Sequence, residues 1–321
     1  MRSEFELIRR YFTHTVRHTR LGVGDDGAVI RARRGTELVV SADMLIAGRH
    51  FLADADARQL GHKALAVNLS DMAAMGATPR WATLALALPH IDGAWLRGFA
   101  RGFMQLARRH GVDLIGGDTT RGPLAICVQI MGEVPAGRFL TRSGARVGDE
   151  VWVSGHIGDA ALTLAALERR LQLRGEELRT VQRRLNRPAP RVALGAALRG
   201  IARSAIDISD GLCADLGHIC ERSRVSAVIE LDRLPVSPIA LRHIGSRPGR
   251  EAVLAGGDDY ELCFTAPPAR HRAVLSAASR ARTKVTVIGR ITTPSARPRV
   301  TVLGRDGRPV EVKSGGYDHF R

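Results

Sequence analysis

The chain has 321 residues, 45% of them hydrophobic and 25% charged, with 48 Lys and Arg against 32 Asp and Glu and a net charge of +16. That is enough chain for one large or two ordinary globular domains, and no apolar run is long enough to cross a bilayer. The positive excess is almost all Arg, spread along the chain, with only Lys63, Lys284 and Lys313 as lysines and 4% aromatics; nucleic acid is therefore not the expected partner.

In chain order, residues 3–12 read as a helix, with Ser3 and Glu6 as a capping box and Phe5, Ile8 and Phe12 on one face. LGVGDDGAVI follows. Its AVI and the strand ELVVSAD, separated by an Arg-Arg-Gly-Thr turn, read as a hairpin. Residues 56–75 form a helix through Leu60, Ala64, Val67 and Met72. Residues 82–89 are a strand, and residues 93–110 a helix with Trp95, Phe99, Phe103 and Leu106 on one face. DLIGGDTTRGP is a strand running into a Gly-rich turn, and ICVQIMGEV alternates as a strand does. RSGARVGD is Gly-rich, charged and poor in apolar residues, which places a boundary near residue 148 and gives domains of residues 1–148 and 149–321.

The second half restarts with the strand EVWVSG and a helix from Asp159 to about Arg174. RPAPR is a rigid break before a helix at residues 192–203. AIDISDGL leads into the helix CADLGHICERS, and LAGGDDYELCFTAPP is a turn followed by a strand. A helix near residues 271–282, the strand KVTVIGRI and a hairpin turned at Asp306-Gly307 complete the chain. Strands and helices alternate in both halves, so the class is α/β or α+β.

The chemistry-bearing feature is a set of short acidic motifs in a basic protein. They are Gly24-Asp25-Asp26-Gly27, Ser41-Ala42-Asp43, Asn68-Leu69-Ser70-Asp71, Gly116-Gly117-Asp118-Thr119 and Asp207-Ile208-Ser209-Asp210-Gly211, with Gly256-Gly257-Asp258-Asp259 as a sixth. Most stand where a strand meets a turn, with Gly or Ser beside the Asp. There a carboxylate can reach a shared cleft, and Gly lets a phosphate approach the backbone. Such a set suits Mg²⁺, which takes one or two carboxylates plus waters and substrate phosphates. Asp-Gly and Asp-Asp are also ordinary turn formers, and Asp25 and Asp259 read as no more than that. Asn68 and Asp71, three apart on an apolar helix, share a face and call for a partner.

Several classes fall away. Gly22-Val23-Gly24-Asp25-Asp26-Gly27 matches GxGxxG, but no helix follows it and two carboxylates would oppose a pyrophosphate. No Gly-Lys-Ser/Thr exists, so a P-loop is absent. Cys127, Cys213, Cys220 and Cys263 form no CxxC pair, so neither a zinc site nor a disulfide framework is expected. MRSEFELIRRYF has no apolar core, so no secretory leader is expected and the cytoplasm is the expected location. Lys63 reads as a surface lysine, Arg142 as a possible bidentate phosphate clamp, and His50 as a cleft candidate. GYDHF at residues 316–320 suggests a docking tail or a lid over a heteroaromatic ring.

FELIRRYF, GVGDDGAVI, ADMLIAGRHFL, KALAVNLSDMAAMGATP, LIGGDTTRGP, LTRSGARVGD, AIDISDGLCADLGHI, GGDDYELCF and GYDHF, in this order, resemble the thiamine-monophosphate kinase family over nearly the whole chain. NLSDMAAMGA and GGDTTRG are shared in part with the wider superfamily of aminoimidazole ribonucleotide synthetase and selenophosphate synthetase; AGRHFL and GYDHF point to the thiamine branch. The resemblance implies a two-domain synthetase-like fold whose N-terminal strands pair across a homodimer. It also implies ATP- and Mg²⁺-dependent conversion of thiamine monophosphate to thiamine diphosphate. On matching positions Asp26, Ser41, Ala42, Asp43, Asp71, Asp118, Asp207 and Asp210 would surround magnesium. Gly117, Asp118, Arg142 and Ser209 would contact ATP, and His50, Asp258 and Tyr317 the thiamine phosphate. Two positions depart from the family. Ala42 replaces a common Ser or Thr and offers only its backbone, and Asp258 replaces a common Glu that is one methylene longer.

The acceptor would be a phosphate oxygen, largely ionised at neutral pH, so no general base or covalent nucleophile is expected. Three alternatives stand beside this reading. They are another ATP-dependent synthetase of the superfamily, a non-catalytic nucleotide-binding protein, and a basic nucleic-acid-binding protein whose affinity would fall steeply with salt.

Overall fold

The computed structural model describes residues 4–294 and 297–312. The chain falls into two compact units, one running to Met72 and then over Ala77–Gly137, the other made of Ala73–Gly76 and the chain from Arg138 onward.

The first unit contains α1 (Glu4–Tyr11), β1 (Thr19–Leu21), β2 (Val29–Ile30), β3 (Thr36–Ile46), α2 (Ala57–Ala74), β4 (Thr78–Leu88), α3 (Gly93–His110), β5 (Asp113–Arg121) and β6 (Ala125–Pro135). Its sheet has the order β3-β6-β4-β5, antiparallel except for the parallel pair β4–β5. Alternation sets the buried face. Ile126, Val128 and Ile130 of β6 and Leu84, Leu86 and Leu88 of β4 are buried, as are Leu65 and Leu69 of α2 and Phe99 and Phe103 of α3. Sequence explains the limits of α3. Asp92 accepts from the N–H groups of Ala94 and Trp95 at its start, and Gly111 takes the left-handed conformation (φ 66°) at its end.

The second unit contains β7 (Glu150–Ser154), α4 (Asp159–Leu167), α5 (Gly175–Asn186), α6 (Val192–Leu198), β8 (Ser204–Asp207), α7 (Leu212–Ser223), β9 (Ser226–Glu230), α8 (Pro238–His243), α9 (Arg247–Leu254), β10 (Leu262–Ala266), α10 (His271–Arg280), β11 (Val285–Thr292) and β12 (Val300–Leu303). Its sheet runs β12-β9-β11-β7-β10-β8, with only β12–β9 parallel. Two apolar clusters pack in this unit, one around Val151, Ile206, Leu216 and Ile229, the other around Trp152, Leu194, Leu198 and Phe264. Both units mix helices with largely antiparallel sheets, the expected α+β character. Among the described residues no helix is long and apolar enough to cross a membrane.

Five expectations shift. The boundary moves from residue 148 to Gly137–Arg138, because Leu140 and Ala145 anchor the intervening segment in the second unit's clusters and Ala205 N donates to Thr141 O at 2.9 Å. The hairpin drawn between AVI and ELVVSAD does not form: β2 pairs with β1, and β3 pairs along its whole length with β6, from Thr36↔Pro135 to Ile46↔Ala125. A two-residue strand cannot compete with a partner of eleven. The helix from Asp159 stops at Leu167, and the separate α5, which the sequence pattern did not disclose, is started by Glu177 accepting from Arg174 N at 2.9 Å. The helix at 192–203 is cut to α6, whose chain turns at Gly200 (φ 71°). Gly116–Asp118 sit within β5 rather than in a turn. Ser3 and the GYDHF tail lie outside the described residues.

Candidate active site

A cleft of about 600 Å³ lies in the first unit between α1, the loop of residues 23–28, β4 and β5. Its polar wall holds Asp25, Asp26 and Asp118 with the backbone of Gly116 and Gly117; Phe12 and Leu84 belong to the apolar wall. The loop carrying Asp25 and Asp26 joins β1 to β2, so strand and not helix follows the GxGxxG string. Asp113, at the start of β5, fixes the chain leading into β1. Its carboxylate accepts from Arg17 N at 2.9 Å, His18 N at 2.6 Å and Thr19 Oγ1 at 2.9 Å. Buried Glu133 similarly accepts from Arg33 N (2.8 Å), Arg33 Nε (2.7 Å) and Arg80 Nε (3.0 Å).

β5 reaches the cleft through an irregularity. Ala82 pairs with Leu114 and Thr83 with Gly116, which leaves Ile115 extra. Gly117 follows with φ 146°, and a Cβ there would lie 1.8 Å from Leu84 O, so only glycine fits. Asp118 is exposed, and its Oδ1 accepts from Thr119 N at 2.9 Å.

Ser41, Ala42 and Asp43 lie on β3 opposite Ile130, Gln129 and Val128. Ser41 Oγ donates to Asp71 on α2, bringing two of the predicted magnesium positions together. Asn68 is fully buried, its amide donating to Ala64 O at 3.1 Å while its Oδ1 has no hydrogen-bond partner among the described residues. His50 Nδ1 accepts from Ile46 N at 3.0 Å. Lys63, expected at the surface, is buried; its ammonium donates to His50 O at 3.3 Å, because the helix face that carries it packs inward.

In the second unit Asp207 ends β8 and is buried, while Ser209 and Asp210 are half-buried in the turn before α7. Asp215 Oδ2 accepts from the N–H groups of Ser209, Asp210 and Gly211, each at 3.1 Å. Burial, and then the charges of Asp207 and Asp210, push the Asp215 carboxyl up to about 8. Asp258 has φ 69°; its N–H donates to Ser209 O at 2.9 Å, and its Oδ1 accepts from Tyr260 Oη at 3.1 Å. Asp259, read as a plain turn former, accepts from Gly158 N at 2.9 and 3.0 Å. Arg142 is exposed, and Tyr317 lies outside the described residues.

The structure thus gathers Asp26, Gly117 and Asp118 in one cleft, Ser41 with Asp71, and Ser209 with Asp210 and Asp258. Among the described residues no three His, Cys, Asp or Glu side chains group closely enough to hold a metal by themselves. Hard-oxygen donors of this kind, exposed at Asp26 and Asp118 and more buried at Ser41, Asp71 and Asp210, fit Mg²⁺, which keeps waters and takes substrate phosphates as its remaining ligands. The sequence pattern did not disclose Asp113, Asp215, Glu133 or the Arg191–Glu261 pair. Of these only Asp215 carries a local signal, an acid in the first turn of a helix.

Residues 24–134 match the family AIR synthase related protein, N-terminal domain, and residues 146–301 match AIR synthase related protein, C-terminal domain. The thiamine-monophosphate kinase of Escherichia coli (strain K12) is 47% identical over 323 residues, covering 99% of this chain and 98% of that protein. The crystal structure of thiamine-monophosphate kinase from Stenotrophomonas maltophilia K279a superposes with a TM-score of 0.84 at 45% identity, over 91% of this chain and 92% of that one. AaThiL complexed with AMPPCP and TMP gives a TM-score of 0.77 at 32% identity, over 93% and 92%. Two matched domains in sequence, a shared fold and near-complete coverage leave one conclusion: the chain belongs to the thiamine-monophosphate kinase family.

Proposed function

We propose that the protein transfers the γ-phosphoryl group of ATP to the phosphate of thiamine monophosphate, giving thiamine diphosphate and ADP. The observation that carries this reading is full-length likeness to thiamine-monophosphate kinases, one relative being solved with AMPPCP and TMP. An acceptor phosphate oxygen forms a bond to the γ-phosphorus as the β,γ-bridging bond breaks, and that electron pair leaves with ADP. The second pKa of the acceptor phosphate is about 6, so it arrives ionised and no residue need remove a proton. A covalent thiol route has no support in Cys213 or Cys220, whose thiols burial pushes up to about 12.

In this reading Asp26, Ser41, Asp43, Asp71 and Asp118 of the first unit hold magnesium, as do Asp207 and Asp210 of the second; Ala42 offers only backbone. Gly117 and Asp118 present the cleft backbone and a carboxylate to the nucleotide, and Ser209 and Arg142 add contacts to it. His50, Asp258 and Tyr317 face thiamine monophosphate. Magnesium, when bound, supplies the positive charge that screens two polyanions and neutralises the transferring group. The chain's own residues contribute placement: Gly117 permits close approach, and Asp113 fixes the segment leading to the Asp25–Asp26 loop.

A homodimer accompanies this reading. β3 is a sheet edge whose outward row is apolar, with Leu38 46%, Val40 54%, Met44 56% and Ile46 39% exposed. Such a row suits a second copy. The place of action is the cytoplasm, where four free cysteines stay reduced. Incubating the protein with ATP, Mg²⁺ and thiamine monophosphate, and separately with free thiamine, tests the function. Diphosphate is expected from the monophosphate alone. No product overturns the reading, and product from free thiamine moves it to another kinase class.

A further inference from the structure

Glu261 is 3% exposed, and the Arg191 side chain that meets it is 17% exposed. Arg191 Nε donates to Glu261 Oε2 at 2.6 Å and its Nη2 donates to Oε1, a bidentate fork. Ser154 Oγ also donates to Oε2 and in turn accepts from Leu262 N at 2.9 Å. The carboxylate rests against Gly155 (φ 59°), where a Cβ would come within 2.0 Å of Oε1. Four separate segments therefore meet at Glu261: the end of β7 and the residue before α6 at its carboxylate, the start of β10 through Ser154, and the segment after β8 through its main chain.

That last connection matters most. Ile208 N donates to Glu261 O at 2.8 Å, Tyr260 N to Ile208 O at 2.8 Å, and Asp258 N to Ser209 O at 2.9 Å. The β8–β10 ladder, whose last pair is Leu262↔Asp207, thus continues past both strands. It carries Asp207, Ser209 and Asp210 on one side and Asp258 on the other. Burying a charged pair for stability alone is a poor solution, since apolar side chains of similar volume serve as well or better. Apolar neighbours are at hand: Leu262 follows Glu261 in sequence, Ile208 is hydrogen-bonded to its backbone, and both are wholly buried. What a fork adds over hydrocarbon is orientation.

We infer that Arg191 and Glu261 are positioning residues for the phosphoryl-transfer reaction: their buried ion pair sets the register and direction of the backbone that presents Asp207, Ser209, Asp210 and Asp258. The inference rests on the functional reading of those four residues. Neither Arg191 nor Glu261 touches substrate; each acts through the main chain of residues 207–210 and 258–261.

The test uses the full chain, the double variant Arg191→Met/Glu261→Met, and Arg191→Lys, which keeps the charge but loses the fork. Three quantities are read on each: thermal midpoint, equilibrium dissociation constant for AMPPCP with Mg²⁺, and kcat and KM with thiamine monophosphate. The double variant is expected to melt within about 5 °C of the parent. Its kcat should fall ~10²-fold, the size of effect that a displacement of about 1 Å produces, and its analogue affinity should weaken ~10-fold at the same time. Arg191→Lys should lose ~10-fold in kcat at a near-parental midpoint, and it decides the question if the double variant does not fold. Parental kcat and parental analogue affinity in a folded variant overturn the inference, as does a loss that tracks only the fraction unfolded. A parent that binds AMPPCP with Mg²⁺ but makes no thiamine diphosphate fails the functional reading, while the binding comparison still judges the ion pair.

Discussion

Gly116 and Gly117 are adjacent glycines in the same strand, yet replacing each by alanine is predicted to have very different consequences. At Gly117 φ is 146° and the added Cβ falls 1.8 Å from Leu84 O and 2.5 Å from Leu84 C. An L side chain in that conformation costs roughly 1–3 kcal/mol. Ordinary C···O contact begins near ~3.3 Å, so the atoms must separate by more than an ångström, and Leu84 is the residue paired with Gly117 across the β4–β5 ladder. Losing one such hydrogen bond adds about 1 kcal/mol. Gly117→Ala should therefore destabilise the fold by about 2–4 kcal/mol, which moves the urea midpoint down by about 1–2 M. A Cβ on Gly116 meets nothing within 4 Å, so Gly116→Ala should stay within about 0.5 kcal/mol of the parent. Urea unfolding followed by fluorescence compares the two directly. Equal midpoints for both variants would refute the claim that the β5 irregularity and the Leu84 backbone fix Gly117.

Asp118→Asn and Asp26→Asn should each lower turnover by about 10²-fold, with the loss partly recovered at higher Mg²⁺, whereas Asp25→Asn should cost far less; initial rates against Mg²⁺ concentration separate the three. His110 is held down to about 4 by burial, then by the charges of Arg109 and His62, against an ordinary 6.5. Its neutral form is the folded form, so its contribution to stability is whole above pH 6.5 and is lost as the pH falls towards 4. His110→Gln should flatten the acid limb of a stability–pH profile in that window, and an unchanged limb would count against the assignment. Met44→Glu places a charge in the exposed apolar row of β3 and should shift sedimentation from two copies to one; a species of unchanged size would remove β3 from the interface.

Legibility in the sequence followed the range of the interaction. The span of α3 was legible because its apolar period is local; the Asp92 cap and Gly111 that bound it in the structure are local as well. The acidic motifs stood out for the same reason, as Asp beside Gly or Ser in a basic chain. Partners far apart in sequence gave no such sign. Asp113 is bound to residues 94–96 positions away, and Arg191 and Glu261 are separated by 70. Nothing near Arg191 marks it among so many arginines. α5 escaped notice because only Val181 and Leu185 of its residues are buried, too few to print a period. Lys63 misled through its type: lysines are rarely buried, and only the packing of α2 reveals that this one donates to the His50 carbonyl. The same holds for the Gly116–Asp118 segment, whose glycines signalled a turn but serve a bulged strand.

The central claim is that ATP is the phosphoryl donor to thiamine monophosphate and that magnesium on carboxylates makes the transfer possible. A ³¹P NMR time course on one sample of protein, ATP and thiamine monophosphate measures donor loss and product gain together. The account predicts ADP and thiamine diphosphate growing in equal amounts once Mg²⁺ is present and stopping when it is chelated. Release of inorganic phosphate from ATP with no thiamine diphosphate, or equal product after chelation, would contradict it.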